Sequence, residues 1–227
     1  MNRAVILLSG GLDSVVSLAI KAKEMDICLA LIFDYGQKSF QNEYNAAKKI
    51  SEFYNIEIKQ IQLDFLKDIT NTSLVSNEEI PILSQENLND TEVTKSSMKN
   101  VWVPNRNGLF LNIAASYADS YELDYIIIGA NKEEAATFSD NSKQFINSIN
   151  TALKTSTNYN VQVIAPLIDL NKNEIIKRAI ELNVPLNLIY SCYKSSKKHC
   201  GECESCNRLK RALLNNGCDK IIQELFG

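Results

Sequence analysis

Two groups of residues carry chemistry by their type and spacing. The first is Ser9-Gly10-Gly11-Leu12-Asp13-Ser14, between an apolar run at residues 4–8 and an amphipathic stretch. The glycines let backbone N–H groups approach an oxyanion without Cβ interference. A helix starting just beyond them adds unpaired donors and partial positive charge. Ser9 and Ser14 supply hydroxyl donors, and Asp13 either caps the helix or helps hold a magnesium ion. A phosphate cradle and an ordinary capped turn both satisfy these residue types. No Gly-Lys-Ser/Thr follows, so this is not a Walker loop. The second group is Cys192-x7-Cys200-x2-Cys203-x2-Cys206. Four thiolates close a tetrahedral shell, which suits structural zinc; a four-cysteine iron–sulfur cluster is the alternative. Gly201 permits the turn between Cys200 and Cys203. His199, the single histidine of the chain, has no vacancy to fill beside four thiolates and is expected to be a surface neighbour. A lone histidine also removes any Ser-His or Cys-His triad elsewhere.

The elements that must position these groups read as alternating strands and helices. Continuous apolar runs at residues 4–8 and 27–33 suit strands buried on both faces, and residues 56–63, 125–128 and 161–165 predict three more. Helical stripes lie between them, at Val15, Val16, Leu18, Ala19 and Ala22; at Ala46, Ala47, Ile50, Phe53 and Tyr54; and at Leu109, Phe110, Ile113, Ala114, Tyr117 and Ala118. Phe145, Ile146, Ile149 and Leu153 mark another, residues 173–182 a further one, and helical patterns return after the cysteines. This alternation predicts an α/β fold, a doubly wound parallel five-stranded sheet with helices on both faces and ligands at the carboxyl ends of its strands. Residues 70–100 break the pattern. Fourteen of these 31 residues are Ser, Thr or Asn, which reads as a long polar loop or flap, and loops of that size are often functional.

Composition narrows the function classes. The chain has 227 residues with 24 Lys+Arg against 27 Asp+Glu, a net charge of −3. That balance argues against a surface dedicated to nucleic acid. The apolar runs are too short to span a membrane, and no leader pattern is visible, so a cytoplasmic location is expected. Clustered cysteines in such a chain read as metal binding before disulfides.

Ser-Gly-Gly-x-Asp-Ser at the first strand–helix junction resembles the signature of the ATP pyrophosphatases, which cleave ATP between the α- and β-phosphates. The loop and cysteine cluster together resemble the 7-cyano-7-deazaguanine synthase family of the queuosine precursor pathway. Further matching segments are Phe33-Asp34-Tyr35-Gly36-Gln37, Val103-Pro104-Asn105-Arg106-Asn107, Ile128-Gly129-Ala130-Asn131, Ala165-Pro166-Leu167 with Lys172, and Ser191-Cys192-Tyr193 with Arg208. Three departures stand out. Asn105 replaces a Gly, and Asn tolerates left-handed φ. Ser39 stands where the family usually has His. Phe138-Ser139-Asp140-Asn141-Ser142 occupies the place of Tyr-Pro-Asp-Cys-Arg, and is expected to be a looser, more polar loop.

The resemblance implies an adenine nucleotide alpha-hydrolase-like, Rossmann-like domain over residues 1–185 and a helical zinc-binding segment over 186–227. It implies a ligase using ATP, Mg2+ and Zn2+, acting on 7-carboxy-7-deazaguanine and ammonia as a cytoplasmic homodimer, without membrane or direct nucleic-acid contact. On this basis Leu8, Ser9, Gly10, Gly11, Leu12, Asp13 and Ser14 cradle the pyrophosphate. Asp13, Arg106 and Lys172 are the catalytic candidates, the two cations facing phosphate or carboxylate. Asp34 contacts the ribose or is a turn residue. Tyr35, Gln37, Arg106, Asn107 and Asp140 are the substrate candidates, Asp140 binding the base edge or capping a helix. Phe110 and Tyr117 are expected in the core. The rival reading is a paralogous ligase that forms the same acyl adenylate but passes it to another amine, possibly on a protein, and stops at the amide. In either case residues 138–142 and 70–100 are expected to decide the acceptor.

Overall fold

The computed structural model describes residues 1–76, 78–80, 82 and 99–227. Most of the flap expected at residues 70–100 therefore lies outside the described residues. Five strands form one sheet: β1 (Arg3–Leu7), β2 (Asp26–Asp34), β3 (Glu57–Gln62), β4 (Tyr125–Ile127) and β5 (Gln162–Ile164). Their order is β3-β2-β1-β4-β5 and every pairing is parallel. The doubly wound sheet read from the alternating pattern is thus the fold. Its strand order turns back between β1 and β4, so the loops leaving their carboxyl ends diverge and open a crevice.

β1 shows why its run is continuously apolar. Ala4, Ile6 and Leu8 join the apolar cluster on one sheet face, while Val5 and Leu7 join that on the other. The first face is covered by α1 (Leu12–Lys21), α2 (Phe40–Tyr54) and, from the second half of the chain, α7 (Lys172–Glu181). The second carries α4 (Arg106–Ser120) and α6 (Lys143–Ser156). Short helices α3 (Asp64–Ile69) and α5 (Lys132–Ala135) follow β3 and β4; neither has the length to show a period in sequence. The chain ends in α8 (Glu204–Asn215) and α9 (Asp219–Phe226). Leu209, Ala212, Leu213 and Leu225 of these helices belong to the same cluster as α1 and α7, so the C-terminal segment buries its apolar face on the sheet domain. None of the described helices is long and apolar enough to cross a membrane.

Two stripes differ from expectation. In α4 the buried face is made of small residues, including Gly108, Ala114, Ala115 and Ala118, with Leu111. Phe110 and Tyr117 are only partly buried: close approach of α4 to the sheet needs small side chains, and the larger ones are displaced to its flanks. In α2, Tyr54 packs inward but Phe53 is 59% exposed, since adjacent helical positions lie about 100° apart.

Candidate active site

The crevice between the β1 and β4 loops is a cavity of about 260 Å³. Its floor is the Ser9–Ser14 loop. Gly10 has φ +78°, and a Cβ there would meet Ala47 N at 2.7 Å, Glu43 O at 2.8 Å and Ala46 Cβ at 2.9 Å. Gly10 is therefore glycine for conformation and for contact with α2. A G10A variant is expected to lose about 2 kcal/mol or more from the left-handed backbone and this backbone clash, lowering Tm by about 4–8 °C; an unchanged thermal melt would contradict it. Gly11 differs. Its backbone is extended, and the nearest atoms to an added Cβ are Ser9 Oγ at 3.4 Å and Ser191 Oγ at 3.5 Å. A side chain would fill the space between these hydroxyls, which suits a cradle for a ligand. The loop holds itself open: the Gly11 N–H donates to Ser9 Oγ at 3.3 Å, the Ser14 hydroxyl donates to the Gly11 carbonyl at 3.1 Å, and the Ser9 and Ser14 hydroxyls lie 3.2 Å apart. From β4, Gly129 closes on the loop so tightly that a Cβ would lie 2.8 Å from Ser14 N.

Asp13 and Lys172, 159 positions apart, meet here. The Lys172 ammonium donates to Asp13 Oδ2 at 2.6 Å and to Glu134 Oε1 at 2.7 Å. Lys172 is the first residue of α7, whose start is fixed by an Asn171–Glu174 capping box. Its backbone N–H donates to Glu133, which also binds Arg208 and Arg211 of α8. Glu134 is placed by Asn131, whose side chain accepts the Glu133 and Glu134 N–H groups. Burial alone would lower the Lys172 pKa; the Asp13 and Glu134 carboxylates more than offset it and hold the ammonium above the usual lysine range. The carboxylates share that cation unequally. Burial pushes Asp13, whose side chain is 18% exposed, up to about 6. Lys172 more than offsets burial at Glu134, which is 34% exposed and held below the usual carboxylate range. Asp13 Oδ1 is buried with no hydrogen-bond partner. An orphaned carboxylate oxygen in this cavity is a suitable donor for a hard cation such as Mg2+.

The opposite wall carries Arg106. It follows Asn105, whose φ of 51° is the left-handed turn that the Gly-to-Asn departure preserves. The Arg106 guanidinium donates to Tyr35 Oη at 3.1 Å and stands over the Tyr35 ring. Asn107 donates to the Asp140 carbonyl at 3.3 Å. Phe110 lines the cavity and stacks on Phe33, ring centroids 4.0 Å apart, so it serves the site as well as the core. Gln37 is buried, holding the Tyr35 N–H, the Phe33 carbonyl and Glu43. Asp34 accepts the Gly36 N–H, as a turn residue does. The Asp140 carboxylate accepts from the Asn141 side chain, and Asn141 rather than Asp140 lines the cavity.

Residues 138–142 are not loose. They form a 3-10 turn in which Ser142 donates to the Ser139 carbonyl at 2.7 Å and caps α6 by accepting the Phe145 N–H. Phe138 stacks on Trp102 at 6.3 Å. Polar side chains here replace a rigid proline by hydrogen bonding the turn themselves.

The four cysteines converge. Their sulfurs all lie within 4.8 Å of one another, with Cys200 and Cys206 3.8 Å apart. A tetrahedral shell with metal–sulfur bonds of about 2.3 Å sets sulfurs roughly 3.8 Å apart, so the donor set fits zinc. Backbone N–H groups of Lys194, Glu202 and Cys203 donate to the sulfurs of Cys192 and Cys200, as thiolate ligands require. His199 is not a surface neighbour: it is 5% exposed, its ring lies against Tyr190 and Phe226, and Nε2 accepts the Ser191 N–H at 3.0 Å. Burial holds its pKa below the ordinary value, consistent with a neutral accepting ring. Its adjacency to Cys200 in sequence suggested a metal environment but carried no sign of this packing.

Sequence reasoning also missed Glu134, Glu43 and Ser191. Glu134 reads as ordinary helix-start acid after Asn131, and Ser191 is overshadowed by Cys192. Glu43, one turn after Ser39, reads as helix surface. It lines the cavity, accepting from the Ser39 hydroxyl at 2.5 Å and from Gln37 at 3.0 Å, and burial pushes its pKa up.

Known proteins resemble the chain over most of its length. A family model described as "Queuosine biosynthesis protein QueC" matches residues 3–217. A "7-cyano-7-deazaguanine synthase" of Methanosarcina barkeri is 46% identical, covering 99% of both chains. Another of that name, from Carboxydothermus hydrogenoformans, is 51% identical over 93% of this chain and 98% of its own. Among solved structures, "Crystal structure of a 4-thiouridine synthetase - RNA complex with bound ATP" has a TM-score of 0.52 and 18% identity, covering 99% of this chain and 50% of that one; this likeness bears on the fold alone.

Proposed function

The chain belongs to the queuosine biosynthesis protein QueC family, and from that premise we propose that it converts 7-carboxy-7-deazaguanine and ammonia into the 7-cyano compound at the expense of ATP. In this reading residues 1–185 bind nucleotide and substrate, and 186–227 form the thiolate-bearing segment. The substrate carboxylate attacks the α-phosphorus of ATP, giving an acyl adenylate and pyrophosphate. Ammonia displaces AMP and loses a proton, leaving the amide. The amide oxygen attacks the α-phosphorus of a second ATP and expels a second pyrophosphate, and departure of AMP with loss of the two N–H protons gives the nitrile. Two ATP are consumed per nitrile.

This chain's residues supply position and charge, with no nucleophile of their own. The loop hydroxyls and N–H groups receive the pyrophosphate at the start of α1. Lys172, at the start of α7, offers a cation to the α-phosphate. Arg106, braced by Tyr35, holds the substrate carboxylate bidentately, and Phe110 on Phe33 gives an aromatic floor beside it. Asp13 and Glu134 are the oxygen donors for Mg2+, which would neutralise the departing pyrophosphate. Zn2+ held by Cys192, Cys200, Cys203 and Cys206 would serve structure, its shell being closed.

The observation that carries the reading is that one cavity holds the Asp13–Lys172–Glu134 cluster on one wall and Arg106 on the other: a site for a triphosphate and a site for a carboxylate share one space. With ATP, ammonia and the carboxylate, the expected nucleotide product is AMP with pyrophosphate. Release of ADP and phosphate would exclude attack at the α-phosphorus. The rival, transfer to a larger amine ending at the amide, has its motive in the altered residues 138–142; the hydrogen bonds that Ser142 makes to Ser139 and Phe145 favour the nitrile reading.

A further inference from the structure

Ser191 belongs to the thiolate-bearing segment, yet its side chain sits at the loop. Its Oγ accepts the Leu12 N–H at 3.2 Å. Three ties fix it there. The Ser191 N–H donates to His199 Nε2 at 3.0 Å, the preceding Tyr190 N–H donates to the Gly10 carbonyl at 2.9 Å, and the following residue is Cys192. The space an added Cβ on Gly11 would enter lies between Ser9 Oγ and Ser191 Oγ, so both hydroxyls border the same volume, and both residues line the cavity. A serine hydroxyl that accepts one hydrogen bond still has its own hydrogen to donate. Among the described residues, no side chain or carbonyl takes it.

Resting on the nucleotide role proposed above, we infer that Ser191 is a phosphate-binding residue. Its Oγ accepts the Leu12 N–H and donates to an oxygen of the pyrophosphate portion of ATP, making the thiolate-bearing segment one wall of the cradle. The chemistry favours this. A hydroxyl polarised by an N–H donor is a better donor to an anion, and hydrogen bonds to charged acceptors are the strong ones. The neighbouring α1 N-terminus adds favourable potential for the same anion. Its hydrogen bonds to Leu12 and His199, and that of Tyr190 to Gly10, place Ser191 before any ligand arrives, so little ordering is needed on binding. In the opposite arrangement, the Ser191 hydroxyl would only compete with phosphate for the Leu12 N–H, and its removal would tighten binding.

Calorimetric titration of the full, zinc-replete chain with inorganic pyrophosphate and Mg2+, and separately with AMP, tests this. S191A is expected to bind pyrophosphate about tenfold or more weakly and AMP unchanged, with zinc content and melting temperature as in the unmodified protein. S191T, which keeps the hydroxyl, is expected to recover pyrophosphate affinity to within about threefold. Equal or tighter pyrophosphate binding by S191A overturns the inference. So does a weakened S191A that has lost zinc or that Thr does not rescue, because either result marks a structural role. If the unmodified protein itself fails to bind pyrophosphate, the nucleotide reading falls, and this inference with it.

Discussion

Replacing Lys172 with Met is expected to lower turnover by about two to three orders of magnitude, the usual consequence of removing one preorganised charge from a developing anion. It should also cost about 3 kcal/mol of stability, because Asp13 and Glu134 are left facing one another around a buried gap. The low end of the buried-pair range applies, since Glu134 is a third exposed. Tm should fall by about 6–12 °C. The pH dependence separates loss of the buried charge from simple loss of packing. Burial already pushes Asp13 up to about 6 against the pull of Lys172. Without the ammonium, its folded-state value stands further above the ordinary carboxylate pKa. A carboxyl raised in the folded state contributes stability that is present at low pH and lost as pH rises through the folded value. The stability deficit of K172M should therefore be smaller at about pH 5 than at about pH 8. Melts recorded at both pH values check this, and a deficit independent of pH would contradict it.

Cys203→Ala is expected to have the largest structural effect. Cys192, Cys203 and Cys206 are at most 1% exposed and form an apolar cluster with Ala46, Ile80 and Tyr190. That cluster lies where α2, the beginning of the polar loop and the thiolate segment meet. Metal-binding energy in small four-ligand sites is of order 10 kcal/mol and becomes folding energy. The variant, or the native protein stripped by a chelator, should lose zinc by elemental analysis and melt more than about 10 °C lower. Pyrophosphate binding should weaken too, because Tyr190 and Ser191 fasten the segment to Gly10 and Leu12. Iron with visible absorbance, or a melting temperature unaffected by metal removal, would contradict the assignment.

The sheet, the loop and the cysteine cluster were legible because each is local or periodic. Residues 4–8 are apolar throughout because both faces of β1 are buried, and four cysteines within fifteen positions can meet only around a common centre. What the sequence hid is tertiary. Glu134 and Lys172 are 38 positions apart, and nothing near Glu134 distinguishes a cavity-lining acid from the first turn of a helix. His199 was assigned to the surface by reasoning from ligand count alone, whereas its packing depends on Phe226 of the last helix and Tyr190. Phe110 was assigned to the core from its place in a helical stripe. The stripe is real, but the small residues of α4 take the sheet-facing positions and leave Phe110 to the cavity. The turn at 138–142 looked weakened by loss of proline, because hydrogen bonds such as Ser142 to Ser139 do not appear in residue composition.

Mass spectrometry of the products formed by the purified chain from ATP, ammonia and 7-carboxy-7-deazaguanine, with AMP counted alongside, shows whether one cavity activates the deazaguanine carboxylate and carries it to the nitrile. The 7-cyano compound is expected as the main product, with two AMP formed per nitrile. Amide accumulating as the end product with one AMP each, or ADP in place of AMP, would overturn the proposed function.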